Sequence, residues 1–294
     1  MSMSDKNKTV ISYIGLFGVA MIWGLAFSVV KTTLDYVPPV YMVAIRFSIA
    51  SVFIALVFFR KFRHMNKQNT LHGIIIGVFL FLAYLTQTLG CKYTTAGKNA
   101  FLTALYVIIV PFLHWIISKK RPKIRLFIAA FIGIVAIGLI SLDGIGTIGT
   151  GDALTIACSV LFALQIAFID KYTGKDDPVI LTMWQVFVCA VLGWITAPFI
   201  HGALTADIFR LNVIGGLFYI GVFSSLICSI LQTVCQKYTK PENASLIMCT
   251  ESVFGALGSF ILLHEVMSVK TLAGCVLMFG AIVLSQIKMR GDKQ

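Results

Sequence analysis

Ten long apolar runs divide this chain, and they constrain its fold more than any other feature. A bilayer core about 30 Å thick needs roughly 20 apolar residues in a helix that crosses it. The runs have about this length, and residues that interrupt helices separate them, such as Pro38-Pro39 and Asp177-Pro178. They cover residues 11–30, 40–59, 71–89, 97–118, 124–142, 152–169, 179–199, 212–235, 244–263 and 269–287. The pattern predicts an all-α membrane protein with ten transmembrane helices.

The composition excludes a soluble globule of this size. Of the 294 residues, 58% are hydrophobic and 12% are charged, whereas a soluble domain carries about 25% charged residues. The net charge of +12 could indicate a nucleic-acid partner. The basic residues lie between apolar runs, however, so we expect a lipid bilayer and no nucleic acid as the partner. The seven cysteines form no CxxC pair, so we expect buried, reduced thiols.

The basic residues also predict the orientation. Eighteen of the 24 Lys and Arg residues lie on the side that holds both termini, five lie on the other side, and Arg46 lies inside a run. Cytoplasmic loops of membrane proteins carry such an excess of positive charge. We therefore expect a multi-pass protein of the cytoplasmic (inner) membrane with both termini in the cytoplasm.

The two halves of the chain resemble each other at a shift of 145 residues. Residues 85–94 read LTQTLGCKYT and residues 230–239 read ILQTVCQKYT, with five identities. We predict two repeats of five helices, at 1–146 and 147–294, which enter the membrane from opposite faces because five is odd. Inverted repeats are typical of secondary transporters, whose substrate site lies near the midplane. A duplicated scaffold without transport is the alternative.

Polar side chains recur on single helical faces of these runs. Ser225, Ser229, Gln232 and Gln236 follow spacings of four and three, as do Asn99, Thr103 and Tyr106. Such stripes line a wet cavity or hydrogen-bond neighbouring helices. The predicted cavity residues are Trp23, Arg46, Tyr84, Gln87, Asn99, Tyr106, Gln165, Trp184, Ser229, Gln232 and Glu251.

Two of these residues are ionisable and lie well inside a span. Arg46 could bind a substrate carboxylate, because its planar fork matches that geometry. Snorkelling to the interface is the alternative. Glu251 could bind an amine or carry a coupling proton, or it could be a neutral hydrogen-bonding group. An Arg46–Glu251 ion pair is a further possibility that spacing does not decide.

Aromatic residues and missing motifs narrow the chemistry. A cavity lined by Trp23, Phe27, Phe162 and Trp184 would favour flat or amphipathic organic substrates, although such residues also face lipid or pack against one another. The sequence has no Walker A motif, no HExxH or clustered Cys/His set and no nucleophile elbow. We therefore expect no enzyme activity, no metal and no cofactor.

Several short motifs, in order and in a ten-span setting, resemble the drug/metabolite transporter superfamily, and within it transporters with two EamA-type domains. The motifs are Ile22-Trp23-Gly24, Arg46-Phe47, Lys92-Tyr93-Thr94-Thr95-Ala96-Gly97, Lys237-Tyr238-Thr239, Thr250-Glu251-Ser252-Val253-Phe254 and His264-Glu265. The chain departs from the family pattern at Ser252, where the family usually has proline, and at His264, where it usually has glycine.

The resemblance implies ten helices with both ends in the cytoplasm and the export or exchange of small organic metabolites. With the residue-level analysis, it predicts a secondary transporter that works by alternating access around a midplane cavity. The expected substrate is amino-acid-like, or amphipathic and aromatic. Protons are a further expected partner, and the protein is expected to be a monomer or a homodimer. A non-transporting membrane receptor or assembly partner is the alternative.

Overall fold

The structure, a computed structural model, describes residues 3–118, 124–141, 148–202, 204 and 206–286. Its regular structure is helical. The α-helices are α1 (Met3–Thr33), α2 (Pro39–Val57), α3 (Lys67–Tyr93), α4 (Ala96–Thr103), α5 (Tyr106–Ser118), α6 (Ile124–Ser141), α7 (Thr150–Thr173), α8 (Pro178–His201), α9 (Leu211–Phe218), α10 (Cys228–Gln236), α11 (Pro241–Met248), α12 (Glu251–Leu263) and α13 (Val269–Gln286). Two 3-10 helices (Phe59–His64 and Ala206–Phe209) and one π-helix (Tyr219–Ile227) complete the set.

Within the described residues, eight helical stretches are long and apolar enough to cross a membrane. They are Asn7–Thr33, Pro39–Val57, Lys67–Tyr93, Ala96–Ile116, Thr150–Thr173, Pro178–His201, Leu211–Gln236 and Pro241–Leu263. The all-helical membrane fold is therefore confirmed, whereas the predicted count of ten spans is not. The helices α6 and α13, of 18 residues each, lie at the other two predicted positions, and the apolar stretches described within them are Phe127–Ala136 and Val269–Ala281. The predicted repeat boundary at 146 and 147 lies outside the described residues.

Three of these eight stretches are not continuous α-helices. Ala104 and Leu105 separate α4 from α5, Cys249 and Thr250 separate α11 from α12, and the π-helix lies between α9 and α10. Interrupted helices free backbone groups inside the membrane, and such groups are tolerated only where protein or a wet cavity surrounds them. The breaks therefore bring polar chemistry to the middle of the bundle.

The break before α12 forms although Ser252 replaces the proline of the family pattern. The Thr250 hydroxyl donates to the Ile247 carbonyl at 2.7 Å, and the Ser252 hydroxyl donates to the Cys249 carbonyl at 2.8 Å. Serine and threonine hydroxyls offer the backbone an alternative to the helical ladder. They add to the backbone hydrogen bonds that the same two carbonyls accept from the Thr250 and Ser252 amides, at 3.2 and 3.0 Å.

Specific residues set the starts of several helices. Asn66 and Asn69 form a reciprocal capping box at α3, and the Thr95 side chain accepts from the Lys98 amide at α4. The Asp177 carboxylate accepts from the first amides of α8 and pairs with Lys61. Burial opposes ionisation of Asp177, but the Lys61 ammonium and the two amides stabilise its carboxylate more, so its pKa is lowered.

Small residues allow the helices to approach closely. A Cβ atom on Gly193 of α8 would lie 2.8 Å from the Ala44 Cα of α2, and one on Gly24 of α1 would lie 2.4 Å from the Phe254 Cβ of α12. Small residues at such crossings are typical of helix packing in membranes. They bring α1, α2, α8 and α12 together around the centre of the bundle.

All seven cysteines are buried and none forms a disulfide, as predicted. They are Cys91, Cys158, Cys189, Cys228, Cys235, Cys249 and Cys275. A buried reduced cysteine behaves as a small hydrophobic residue. These thiols therefore contribute to packing between the helices.

Both ends of the bundle are held by polar contacts. At one end, here called the Lys31 end, α1 and α3 finish and α4 begins. The Lys31 ammonium donates to the carbonyls of Cys91 at 2.8 Å and Thr94 at 2.6 Å, and so caps the C-terminus of α3. At the opposite end, here called the Asp177 end, ion pairs join side chains, among them His72 to Asp176 at 2.6 Å.

Candidate functional site

A pocket in the middle of the bundle collects most of the predicted cavity residues. Its empty volume, including its mouth, is about 510 Å³. Both halves of the chain line it, and its lining runs from the middle of the bundle toward the Lys31 end. The lining residues are Trp23, Ala26, Phe27, Val30, Arg46, Tyr84, Gln87, Cys91, Asn99, Thr103, Tyr106, Phe162, Ile166, Ser224, Gln232 and Glu251.

Most of the predicted cavity residues fall within this set, and three do not. Those that line the pocket are Trp23, Arg46, Tyr84, Gln87, Asn99, Tyr106, Gln232 and Glu251. The structure places Gln165, Ser229 and Trp184 elsewhere, as described below. Eight of the sixteen residues that line this pocket were therefore predicted as cavity residues from the sequence.

Arg46 is the central cation of the pocket. Only 2% of the residue is exposed. Its Nε donates to the Ser225 hydroxyl at 2.7 Å, and its Nη2 donates to the Ser224 hydroxyl at 2.8 Å. The guanidinium also lies 4.5 Å from the centre of the Tyr84 ring. Burial excludes the predicted alternative of snorkelling to the interface.

Arg46 has no carboxylate partner within ion-pair distance in the described part of the chain. The Arg46–Glu251 ion pair that spacing left open is therefore not formed. A buried charge without a counter-charge is costly. Hydroxyl groups and an aromatic face stabilise this cation instead.

The π-helix explains why Ser224 was missed. Its hydrogen bonds run from i to i+5 and widen the turn, so α-helical spacing does not describe which residues share a face. Spacing selected Ser225 alone, but the wider turn brings Ser224 to Arg46 as well. The carbonyl of Ser224 accepts from the Trp23 indole at 2.9 Å, which fixes that aromatic wall of the pocket.

Glu251 lies on the other side of the pocket, at the start of α12. Only 3% of the residue is exposed, and its Oε1 has no hydrogen-bond partner among the described residues. The Tyr106 side chain, at the start of α5, neighbours this carboxyl. Its hydroxyl is also buried and forms no hydrogen bond of normal geometry in the described part of the chain. The two helix breaks thus deliver two unsatisfied polar groups to one place.

A third unsatisfied group belongs to Asn99 of α4. Its amide nitrogen donates to the Thr155 hydroxyl at 2.8 Å and to the Gln87 carbonyl at 3.2 Å. Its Oδ1 is buried and has no partner in the described residues. Buried polar atoms are nearly always paired with protein or water. An orphaned acceptor beside a pocket therefore indicates a position for water or a ligand.

Gln165 lies one layer behind the pocket rather than in its lining. Gln165 and Gln232 exchange side-chain amide hydrogen bonds of 3.4 and 3.3 Å, and Gln165 also donates to Gln185 at 3.2 Å. This glutamine cluster joins α7, α8 and α10. Ser229 is buried on α10 and does not line the pocket.

Trp184 is a correction to the sequence prediction. It packs against Gly73 of α3, where a Cβ atom would lie 2.4 Å from the Trp184 Cβ, and it lines a separate apolar cleft between α2 and α8. For Trp184 the structure therefore supports packing against neighbouring helices, which was the alternative to lining the cavity. The aromatic wall of the central pocket comes instead from Phe27 and Phe162 beside Trp23. The Phe162 ring meets the Tyr84 ring edge-on, with their centres 5.3 Å apart.

The motif that follows α3 fastens the Lys31 end. Glu265 accepts hydrogen bonds from the Ala96 amide at 3.3 Å and the Gly97 amide at 3.4 Å, at the N-terminus of α4. His264 beside it has a φ of 54°, a left-handed conformation that glycine adopts more readily. The glycine of the family pattern suits this position, and His264 adopts the same backbone at some cost.

These features define a class: a helical, multi-pass membrane protein with a pocket between its two halves that buried polar and aromatic residues line. The sequence profile of the EamA-like transporter family matches residues 10–142 and again residues 149–286. The chain belongs to the EamA-like transporter family, which confirms the resemblance drawn from its motifs. It is therefore a membrane transporter of this family.

Individual relatives and a solved structure agree with this assignment. The chain is 32% identical over 291 residues to an uncharacterized transporter of Archaeoglobus fulgidus, covering 97% of this chain and 89% of the relative. It is 24% identical to YvbV, an uncharacterized transporter of Bacillus subtilis, covering 99% and 96%. A solved crystal structure superimposes with a TM-score of 0.69 over 94% of this chain and 95% of that one, at 13% identity. At that identity the likeness shows the fold alone.

Proposed function

We propose that the protein is a secondary transporter of a small organic metabolite, which it moves through the central pocket without changing it chemically. One observation carries this proposal. A pocket between the two halves holds one buried cation and one buried carboxyl that do not pair, together with three unsatisfied polar atoms. Ionisable groups are rare inside a membrane and mark substrate or ion pathways.

The substrate that fits these walls has a carboxylate, an amine and an apolar or aromatic body. Arg46 would bind the carboxylate, since its fork matches two oxygens, and Glu251 would receive the amine. Tyr84 lies beside Arg46, and Trp23 and Phe162 offer flat apolar surface. The proposed substrate class is therefore amino-acid-like or amphipathic and aromatic.

The proposed architecture is the ten-helix inverted repeat expected from the sequence, with repeats at 1–146 and 147–294. Two separate matches to one family profile support it, as does the presence of α6 and α13 at the two shorter positions. With both termini in the cytoplasm, the Lys31 end faces outward and the Asp177 end faces the cytoplasm. The excess of basic residues on the cytoplasmic side supports this orientation.

In this orientation the pocket extends toward the outside. The glutamine cluster and the His72–Asp176 pair lie between the pocket and the cytoplasm. We propose that alternating access breaks these contacts while the Lys31 end closes, which exposes the same site to each side in turn. Such a cycle supports export or exchange.

Glu251 is the proposed proton carrier. It is buried, faces the pocket and has an unpartnered oxygen in the described structure, so a proton and a substrate amine would compete for it. That competition couples substrate release to protonation. Arg46 does not serve this role, since a guanidinium stays protonated in proteins.

Counterflow in proteoliposomes tests the proposal. Vesicles preloaded with single amino acids, amines or aromatic carboxylates are diluted into the radiolabelled compound, and mass spectrometry establishes that the recovered compound is unchanged. We expect accumulation for at least one zwitterion and none with empty vesicles. Binding of a compound without any counterflow would instead favour a receptor, and chemical conversion would indicate an enzyme.

A further inference from the structure

A second cavity, far from the central pocket, opens on the side of the bundle near the Asp177 end. It has an empty volume of about 740 Å³ and lies between α2, the 3-10 helix Phe59–His64 and α8. Its walls are almost wholly apolar, and they include Val52, Ala55, Phe62, Met183, Trp184 and Phe187. Val52 and Phe187 are at least half exposed at its edge. We call it the lateral cleft.

The 3-10 helix beside the lateral cleft presents a patterned surface. With three residues per turn, side chains at i and i+3 lie directly above one another. Phe59 and Phe62 therefore share one edge, and Arg60 and Arg63 share the next. All four side chains are exposed, and Phe62 lines the lateral cleft. The two arginines thus lie side by side at its rim.

The segment that carries the arginines is fixed in place. Lys61 forms an ion pair with Asp177 at the start of α8, and the Asn69 amide nitrogen donates to the His64 carbonyl at 3.1 Å. Lys61 is therefore engaged with protein. Arg60 and Arg63 form no ion pair with the described part of the chain, so their charge is available to an anion outside it.

We propose that the lateral cleft and this arginine pair form a binding site for one anionic phospholipid. An acyl chain would lie in the cleft, and the phosphate would bind Arg60 and Arg63, whose guanidinium forks match phosphate oxygens. Charge complementarity selects an anionic over a zwitterionic headgroup, as at other basic clusters beside membrane helices. This site is separate from the transport pocket and does not depend on the proposed function.

Trp184 itself provides the readout. The protein is reconstituted in vesicles that contain either brominated phosphatidylglycerol or brominated phosphatidylcholine at the same mole fraction. The fluorescence of Trp184 is the difference between the unchanged protein and the Trp184→Phe variant, and its quenching is compared between the two lipids. We expect stronger quenching of this component by the phosphatidylglycerol. The double variant Arg60→Gln and Arg63→Gln should reduce the preference for phosphatidylglycerol over phosphatidylcholine about 25-fold, since each basic residue contributes roughly fivefold.

A matched control changes two exposed lysines at the same end, Lys175→Gln and Lys240→Gln, and should retain the preference. Ala55→Leu, which fills the cleft, should reduce quenching by both lipids. Equal quenching by the two lipids in the unchanged protein would overturn the proposal without reference to any variant. Loss of the preference in the lysine control would also overturn the proposal and would indicate general charge attraction. Displacement of the lipid by soluble glycerol phosphate would overturn it as well and would indicate a site for free anions.

Discussion

The two sides of the central pocket differ in how their charged residues are held. On one side, Arg46 is oriented by two serine hydroxyls and the face of Tyr84. On the other side, Glu251 and its neighbour Tyr106 each have an atom without a partner in the described residues. The cation is preorganised, and the carboxyl is not.

This difference indicates how substrate recognition and proton coupling are divided in the proposed transport cycle. A rigidly held donor binds an anion with little loss of conformational freedom, which favours affinity and orientation. A carboxyl without fixed partners can exchange a proton or an amine at low cost. The Arg46 side is therefore suited to recognition, and the Glu251 side is suited to coupling.

The largest effect is expected from Arg46→Met, which removes the recognition side altogether. Transport of the compound identified by counterflow should fall at least about 30-fold, since an unpaired charged partner costs roughly 2–5 kcal/mol. The melting temperature should not fall, because burying a charge without a counter-charge is unfavourable. Initial uptake rates and thermal unfolding measure the two quantities, and unchanged uptake would refute the assignment of recognition to Arg46.

Glu251→Gln should separate coupling from binding. An amide cannot take up or release a proton, so stimulation of uptake by a pH gradient should disappear while counterflow persists at a reduced rate. Uptake with and without an imposed gradient provides the measurement. Glu242→Gln, outside the pocket, should retain the stimulation, and persistence of proton coupling in Glu251→Gln would exclude Glu251 as the carrier.

Replacement of Ser224 or Ser225 by alanine should have a smaller effect. Each hydroxyl orients Arg46, and hydrogen bonds to charged groups contribute about 1.5–3 kcal/mol, so the apparent affinity should weaken roughly tenfold in each variant. The concentration dependence of uptake gives this value. Ser229→Ala serves as the control on the neighbouring turn, and an equal loss in that variant would mean that helix packing, rather than Arg46, is affected.

Tyr106→Phe should change least. Its hydroxyl has no partner within the described structure, so its removal should raise the free energy of unfolding by about 1 kcal/mol and weaken substrate affinity about threefold. Thermal unfolding and uptake are measured together. A marked loss of stability would show that the hydroxyl has a structural partner, and the contrast between the two sides would then be weaker.

Much of this site could be predicted because the helices follow regular spacing. The spacing of Asn99 and Tyr106 holds across a helix break, and both residues reach the pocket. Ser224 could not be predicted, because a π-helix is not visible in a polar pattern read at 3.6 residues per turn. Trp184 was misplaced because an aromatic residue inside a span gives no sign of which neighbour covers it. Only tertiary packing decides that.

The break between α11 and α12 has a consequence for motion. A proline interrupts a helix permanently, since it has no amide hydrogen and its ring clashes with the preceding turn. Here, by contrast, the joint is held by the Thr250 and Ser252 hydroxyls, and each such bond contributes only about 1 kcal/mol. The backbone amides at the joint remain able to re-form the helical ladder. In the proposed cycle of alternating access, the segment that carries Glu251 would therefore serve as a reversible hinge.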